Sequence, residues 1–171
     1  MVSTSQKLER AKSREENETQ ELRDETKFTL QEGRMTLPGI QTLFGFQLIS
    51  VFSPVFDQKV GHDDKVLHLI AIGLTVISIA LTMTPAAYDR QTEDWRCSHK
   101  FVRIASTCIT LGMIPLAISM ALDLYVIALL ITADKITAIS SGIGALILFT
   151  ILWFLYPKFD LREKPKTTPL V

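Results

Sequence analysis

Several of the residue types that build sites in soluble enzymes are scarce here. Cysteine occurs only twice. Cys97 stands in a basic stretch, Cys108 in an apolar one, and there is no CxxC pair and no histidine near them beyond His99. That pattern argues against a disulfide framework and against a zinc site of ordinary spacing. No nucleophile–base set and no glycine-rich phosphate loop is present either. The expectation is no enzymatic activity, no metal and no cofactor. The most telling absence is charge. Met35–Phe56, Val66–Tyr88 and Ile136–Pro157 hold no Asp, Glu, Lys or Arg, and Ile104–Ala133 holds only Asp123.

What is present is concentrated elsewhere. The chain has 171 residues, a formal net charge of zero and 47% hydrophobic residues, and a mean hydropathy of +0.25. These averages suit one soluble domain; the distribution does not. A soluble amphipathic helix carries charge on its outer face every turn or so. The four apolar segments lack it, and each exceeds the roughly 18–20 residues that cross about 30 Å of hydrocarbon. The expected fold is therefore an all-α integral membrane protein with four transmembrane helices, spanning about 35–56, 66–88, 104–131 and 136–157. A charged tail (1–34), disordered to about residue 20 and helical beyond it, precedes this domain. A basic tail (158–171) follows it. The first apolar run begins too late and runs too long for a signal peptide, so it is read as the first anchor.

Basic residues orient the bundle. Arg23, Lys27 and Arg34 precede the first span. Arg90, Arg96, Lys100 and Arg103 fill the loop after the second, and Lys158, Arg162, Lys164 and Lys166 follow the fourth. The opposite side has Lys59, Lys65 and Lys135. The positive-inside rule then puts both termini in the cytoplasm, with the plasma membrane as the location. The basic loop needs no nucleic acid to explain it, and none is expected as a partner.

Lipid offers no hydrophobic drive for helix pairing, so small residues and interhelical hydrogen bonds must supply it. Cys108, Gly112, Pro115, Ser119 and Asp123 recur every three or four residues and share a helix face. Thr75, Ser78 and Thr82 form a second face. Ser140 and Gly144 form a small-xxx-small pair on the fourth span. All are read first as packing stripes.

Polar groups inside the apolar runs are the candidate functional residues. Gln41 and Gln47 lie about 120° apart on the first helix. A buried amide without a partner costs several kcal/mol, so each must bond to another helix or to water. Asp123 is the one acid in an apolar run, with Lys65, His68 or Lys135 as its candidate partners. Gln41, Gln47 and Asp123 make up a candidate intramembrane polar site. His68 taken alone reads as an interfacial histidine. Trp153, Tyr156 and Tyr88 read as an aromatic belt.

At the cytoplasmic end, EGRMTLPGIQTLFGF (32–46) and TPAAYDR (84–90) should meet. Glu32, Arg34, Tyr88, Asp89 and Arg90 form a candidate surface cluster, with Glu32–Arg90 and Arg34–Asp89 as reasonable pairs. Glu32, Arg34, Pro38, Gly39, Gln41, Leu43, Phe44 and Phe46 in the first stretch, with Pro85, Ala87, Tyr88 and Arg90 in the second, resemble a family of uncharacterised bacterial four-helix inner-membrane proteins. Asp89 stands where that pattern has histidine. The resemblance covers roughly residues 25–158. It implies a bacterial plasma-membrane location and no assigned chemistry, although some relatives carry a sodium/proton-antiporter name.

Two functions compete. One is a small scaffold or accessory membrane protein, meeting a partner through the N-terminal tail or forming a homo-oligomer. The other is a proton or cation transporter, which with so few helices would need an oligomer.

Overall fold

The computed structural model describes residues 4–91 and 99–160. All regular structure among them is helical. Helix α1 runs Thr4–Val51, α2 Pro54–Lys59, α3 His62–Gln91, α4 His99–Thr132 and α5 Lys135–Thr150. A π-helical turn, Ile151–Leu155, continues α5 into α6, Tyr156–Asp160. Three stretches are long and apolar enough to cross a membrane: His62–Arg90, Phe101–Thr132 and Lys135–Lys158. The chain thus has the helices of a membrane protein. Many of their large apolar side chains are exposed, Ile131 and Ile136 among the most.

α1 is not among these three stretches. Its charge-free part runs from Met35 only to Val51, about 17 residues or roughly 25 Å, short of the hydrocarbon thickness. The expected helix through Phe56 stops early for a local reason. Pro54 pushes Ser53 into extended backbone, and Phe52 N–H and Ser53 N–H close onto the carbonyls of Ile49 and Ser50. Pro54 then opens α2 at a position where its missing N–H does no harm. The charged segment also differs from expectation. It is helical from Thr4, as its Glu, Lys, Arg and Gln content favours.

The turn near Asp134 falls where the sequence puts it. Ala133 adopts a left-handed conformation, φ 53°, and its N–H closes on the carbonyl of Leu129. Asp134 then caps α5, accepting from Ile136 N, Thr137 N and Thr137 Oγ1. Those three hydrogen bonds, the hydroxyl's first, hold its carboxyl below the ordinary aspartate value.

The chain divides into two compact units. The first comprises Met1–Thr42 and Ser78–Gly112. Within it α3 and α4 approach closely: Ser78 Oγ donates to the carbonyl of Gly112 at 2.8 Å. A Cβ on Gly112 would stand 3.0 Å from Thr82 Oγ1. Tyr88 stacks on Phe101, with ring centroids 5.7 Å apart. The second unit comprises Leu43–Ile77 and Met113–Val171. Its apolar core is Phe56, Val60 and Val126, flanked by Tyr125 and Leu130. Here α5 packs through Gly142, where a Cβ would stand 3.1 Å from the carbonyl oxygen of Ala121. Ser140 and Gly144, the expected packing pair, are exposed instead.

Candidate functional site

The second unit encloses a polar cluster built from three helices. Near its C-terminal end α1 supplies Gln47 and Ser50, one turn apart. Near its start α3 supplies His68 and Thr75, two turns apart, with the carbonyl of Ala71 between them. α4 supplies Ser119 and Asp123. Each set repeats at three or four residues and so lies on one helix face.

Gln47 Nε2 donates to Asp123 Oδ2 at 2.6 Å and to Ser119 Oγ at 2.9 Å. His68 Nδ1 lies 3.1 Å from Asp123 Oδ1. His68 Nε2 lies 3.1 Å from the carbonyl oxygen of Gln47 and 2.9 Å from Ser50 Oγ. Ser50 Oγ donates to that same carbonyl at 2.7 Å. Ser119 Oγ and Thr75 Oγ1 lie 2.7 Å apart, and both lie within reach of the carbonyl oxygen of Ala71, at 2.8 and 3.2 Å; each hydroxyl has one hydrogen, so one serves the carbonyl and the other serves its neighbour. Only 5% of His68 and 8% of Asp123 is exposed, which puts an ionisable pair out of reach of bulk solvent. Gln47 Oε1 is buried and has no donor. Turning the amide over would point that oxygen at the Asp123 carboxylate, so the observed orientation keeps the charge-assisted bond.

The donor and acceptor inventory allows two hydrogen-bond patterns. A neutral imidazole has one N–H and an imidazolium two. Both ring nitrogens of His68 face acceptors, a carboxylate and a carbonyl. With an extra proton on the pair, both can be served: His68 donates from Nδ1 and Nε2, or Asp123 donates to Nδ1 while Nε2–H serves Gln47. Without that proton, Nδ1–H serves Asp123 and Ser50 turns its hydroxyl from the Gln47 carbonyl to Nε2. The second pattern leaves a carbonyl oxygen 3.1 Å from a nitrogen lone pair. The two patterns differ by one proton and one hydroxyl rotation.

The chain belongs to a family of unknown function, DUF6328. The family model matches residues 15–157, which include every residue of the cluster. A comparison with curated proteins and one with solved structures each find no match. The DUF6328 assignment accords with the resemblance noted from 32–46 and 84–90, and it carries no chemistry.

The sequence-expected site is brought together in part. Gln47 and Asp123 are bonded to each other. Gln41 is exposed in the first unit and takes no part. Of the partners considered for Asp123, His68 is the one used. Lys65 instead binds the carboxylate of Asp57 at 2.6 Å and its carbonyl at 3.0 Å. That bond, with the lysine charge behind it, lowers the Asp57 carboxyl below its ordinary value. Lys135 is exposed. The surface cluster does not close as expected. Glu32, Arg34, Tyr88, Asp89 and Arg90 are all exposed, and no ion pair among the described residues joins Glu32 to Arg90 or Arg34 to Asp89. Cys97, Arg96 and most of the basic tail lie outside the described residues. Sequence reasoning offered His68 as one of three partners for Asp123 but missed its second contact, to the Gln47 carbonyl and Ser50. The available signal was Gln47/Ser50, His68/Thr75 and Ser119/Asp123 recurring at helical spacing in three apolar segments.

Proposed function

We propose that this protein is a multi-pass plasma-membrane protein that translocates protons through the His68–Asp123 site. One observation carries the reading: a buried histidine–carboxylate pair whose surroundings accept two protonation patterns. Ionisable groups inside membrane segments are costly and mark proton or ion pathways by default. A role confined to packing would need hydroxyls and amides but no ionisable pair.

In this reading the charge-free end of α1 is the fourth membrane helix. Its support is the outward exposure of Phe46, Ile49 and Phe52, with Gln47 turned inward. Four spans with the basic residues on one side then put both termini in the cytoplasm. So few helices leave little room for alternating access, and the working form is an oligomer. A second reading, a small scaffold or accessory protein, is favoured by the charged part of α1, whose long polar face is solvent-exposed and could receive a partner.

The test is proton flux in proteoliposomes followed with an internal pH-sensitive dye. Wild-type protein should acidify the lumen faster than empty liposomes under an imposed gradient. Asp123→Asn should abolish this. Gln41→Ala should leave it intact, because Gln41 lies outside the cluster. Absence of wild-type flux under proton, sodium and potassium gradients would overturn the transport reading.

A further inference from the structure

The face of His68 is covered by a single aromatic ring. Phe56 lies with its centroid 5.1 Å from that of His68, tilted by 56°. Phe56 is buried, and Val60 and Val126 bury themselves beside it. The polar cluster thus ends at an apolar layer. Phe56 belongs to α2, a helix of six residues bounded by extended backbone at Ser53 and Val60. Such a short element, hinged at both ends, has little helical stability of its own. Beyond its own turn, the hydrogen bonds that reach it among the described residues come from Lys65 Nζ, to the carboxylate and the carbonyl of Asp57. Below the layer, Tyr125 donates to Asp64 at 2.9 Å, fixing α3 and α4 independently of α2.

We infer that Phe56 is the access residue of the proton site: it shuts His68 off from water on the α2 side, and release of α2 admits water to it. The inference rests on the proton-binding reading of the cluster. An apolar constriction of this kind gates by excluding water rather than by charge. A proton reaching His68 needs a hydrogen-bonded water chain, and a phenyl ring with two valines offers no donor or acceptor to complete one. The charged groups on the elements packed about His68 are Asp123 from α4, bonded to it, Asp64 and Lys65 about one turn earlier on α3, and Asp57 on α2, each already bonded to a partner. None replaces Phe56 as the barrier.

Carbethoxylation of the full-length protein with diethyl pyrocarbonate, mapped by mass spectrometry, reads this directly. Fragment ions between the two positions separate His68 from His62 whether or not Lys65 is present, and the exposed His62 serves as the internal standard. In wild type, His68 should react far more slowly than His62. Phe56→Ala should raise the His68 rate by about tenfold to a hundredfold, the change in open population expected for loss of one buried aromatic side chain. Phe56→Leu should stay slow. If Phe56→Ala does not fold, Lys65→Gln, which frees α2 and leaves the ring in place, should raise the rate as well. An unchanged His68 rate in a folded Phe56→Ala or Lys65→Gln protein would overturn the inference. The modification needs no transport. A faster rate without wild-type flux would keep the access role and remove the transport reading, whereas flux with an unchanged rate would do the opposite.

Discussion

Replacing Asp123 separates the energetics of the cluster from its chemistry. Alanine removes both carboxylate oxygens. Gln47 Nε2 keeps Ser119 but loses its 2.6 Å bond, and His68 Nδ1 loses its 3.1 Å acceptor. Breaking a buried pair by removing one partner costs about 3–5 kcal/mol in soluble proteins. In a membrane the unfolded reference also finds partners, and interhelical bonds average nearer 0.6 kcal/mol. The loss for Asp123→Ala should therefore sit at the low end, about 3 kcal/mol. Asparagine behaves differently. Its oxygen can accept from Gln47, and its amide can donate to His68 Nδ1 while Nε2–H serves the Gln47 carbonyl. Every partner is kept, in neutral form. Two charge-assisted bonds weaken by about 1 kcal/mol each, but no ion remains to desolvate, which offsets that loss. Asp123→Asn should stay within about 1 kcal/mol of wild type. The assay is reversible unfolding by SDS titration in mixed micelles, followed by circular dichroism, with all three proteins under the same conditions. Asp123→Ala as stable as wild type, or Asp123→Asn as damaging as alanine, would refute the assigned bonding. A stable Asp123→Asn protein without proton flux would show that the lost function is not lost folding.

Four further outcomes follow from the geometry. Ala133→Gly should raise stability by up to about 1 kcal/mol, because φ 53° strains an alanine and not a glycine; thermal unfolding reads this. Gly142→Ala should cost about 1–2 kcal/mol, since its Cβ would press on a backbone oxygen that cannot withdraw. Gly144→Ala meets open space and should be neutral or gain a few tenths from helix propensity; the pair tests which face of α5 is packed. The Asp134 carboxyl is held low by its cap bonds, so its contribution to stability is present above the unfolded value of about 3.9 and fades as pH falls through the folded one. In Asp134→Ala that acid limb of the stability curve should flatten.

Much of this molecule was legible without coordinates. Three of the four long charge-free runs give helices long and apolar enough to cross a membrane, because transfer into hydrocarbon depends on each residue's own polarity and on segment length. The turn near Asp134 is likewise short-range and falls where expected; the break at Pro54 is short-range too, a ring clashing with the residue before it, but the expected first span ran through it to Phe56. The packing stripes on α3 and α4 were legible too, from spacing alone. The assembly of the site was not. Gln41 and Gln47 look alike in sequence, yet one is exposed and the other is buried at 3% exposure. His68 resembles any interfacial histidine until Asp123 and the Gln47 carbonyl stand at its two nitrogens. Helical spacing places a residue on a face, but it does not say which faces meet or in what register. That is decided by close approaches such as Gly142 against Ala121, and by the bonds that only three converging helices can make. The sequence by itself determined that the chain has apolar helices of membrane-crossing length; the tertiary structure decided that a histidine, an aspartate and a glutamine share one enclosed site.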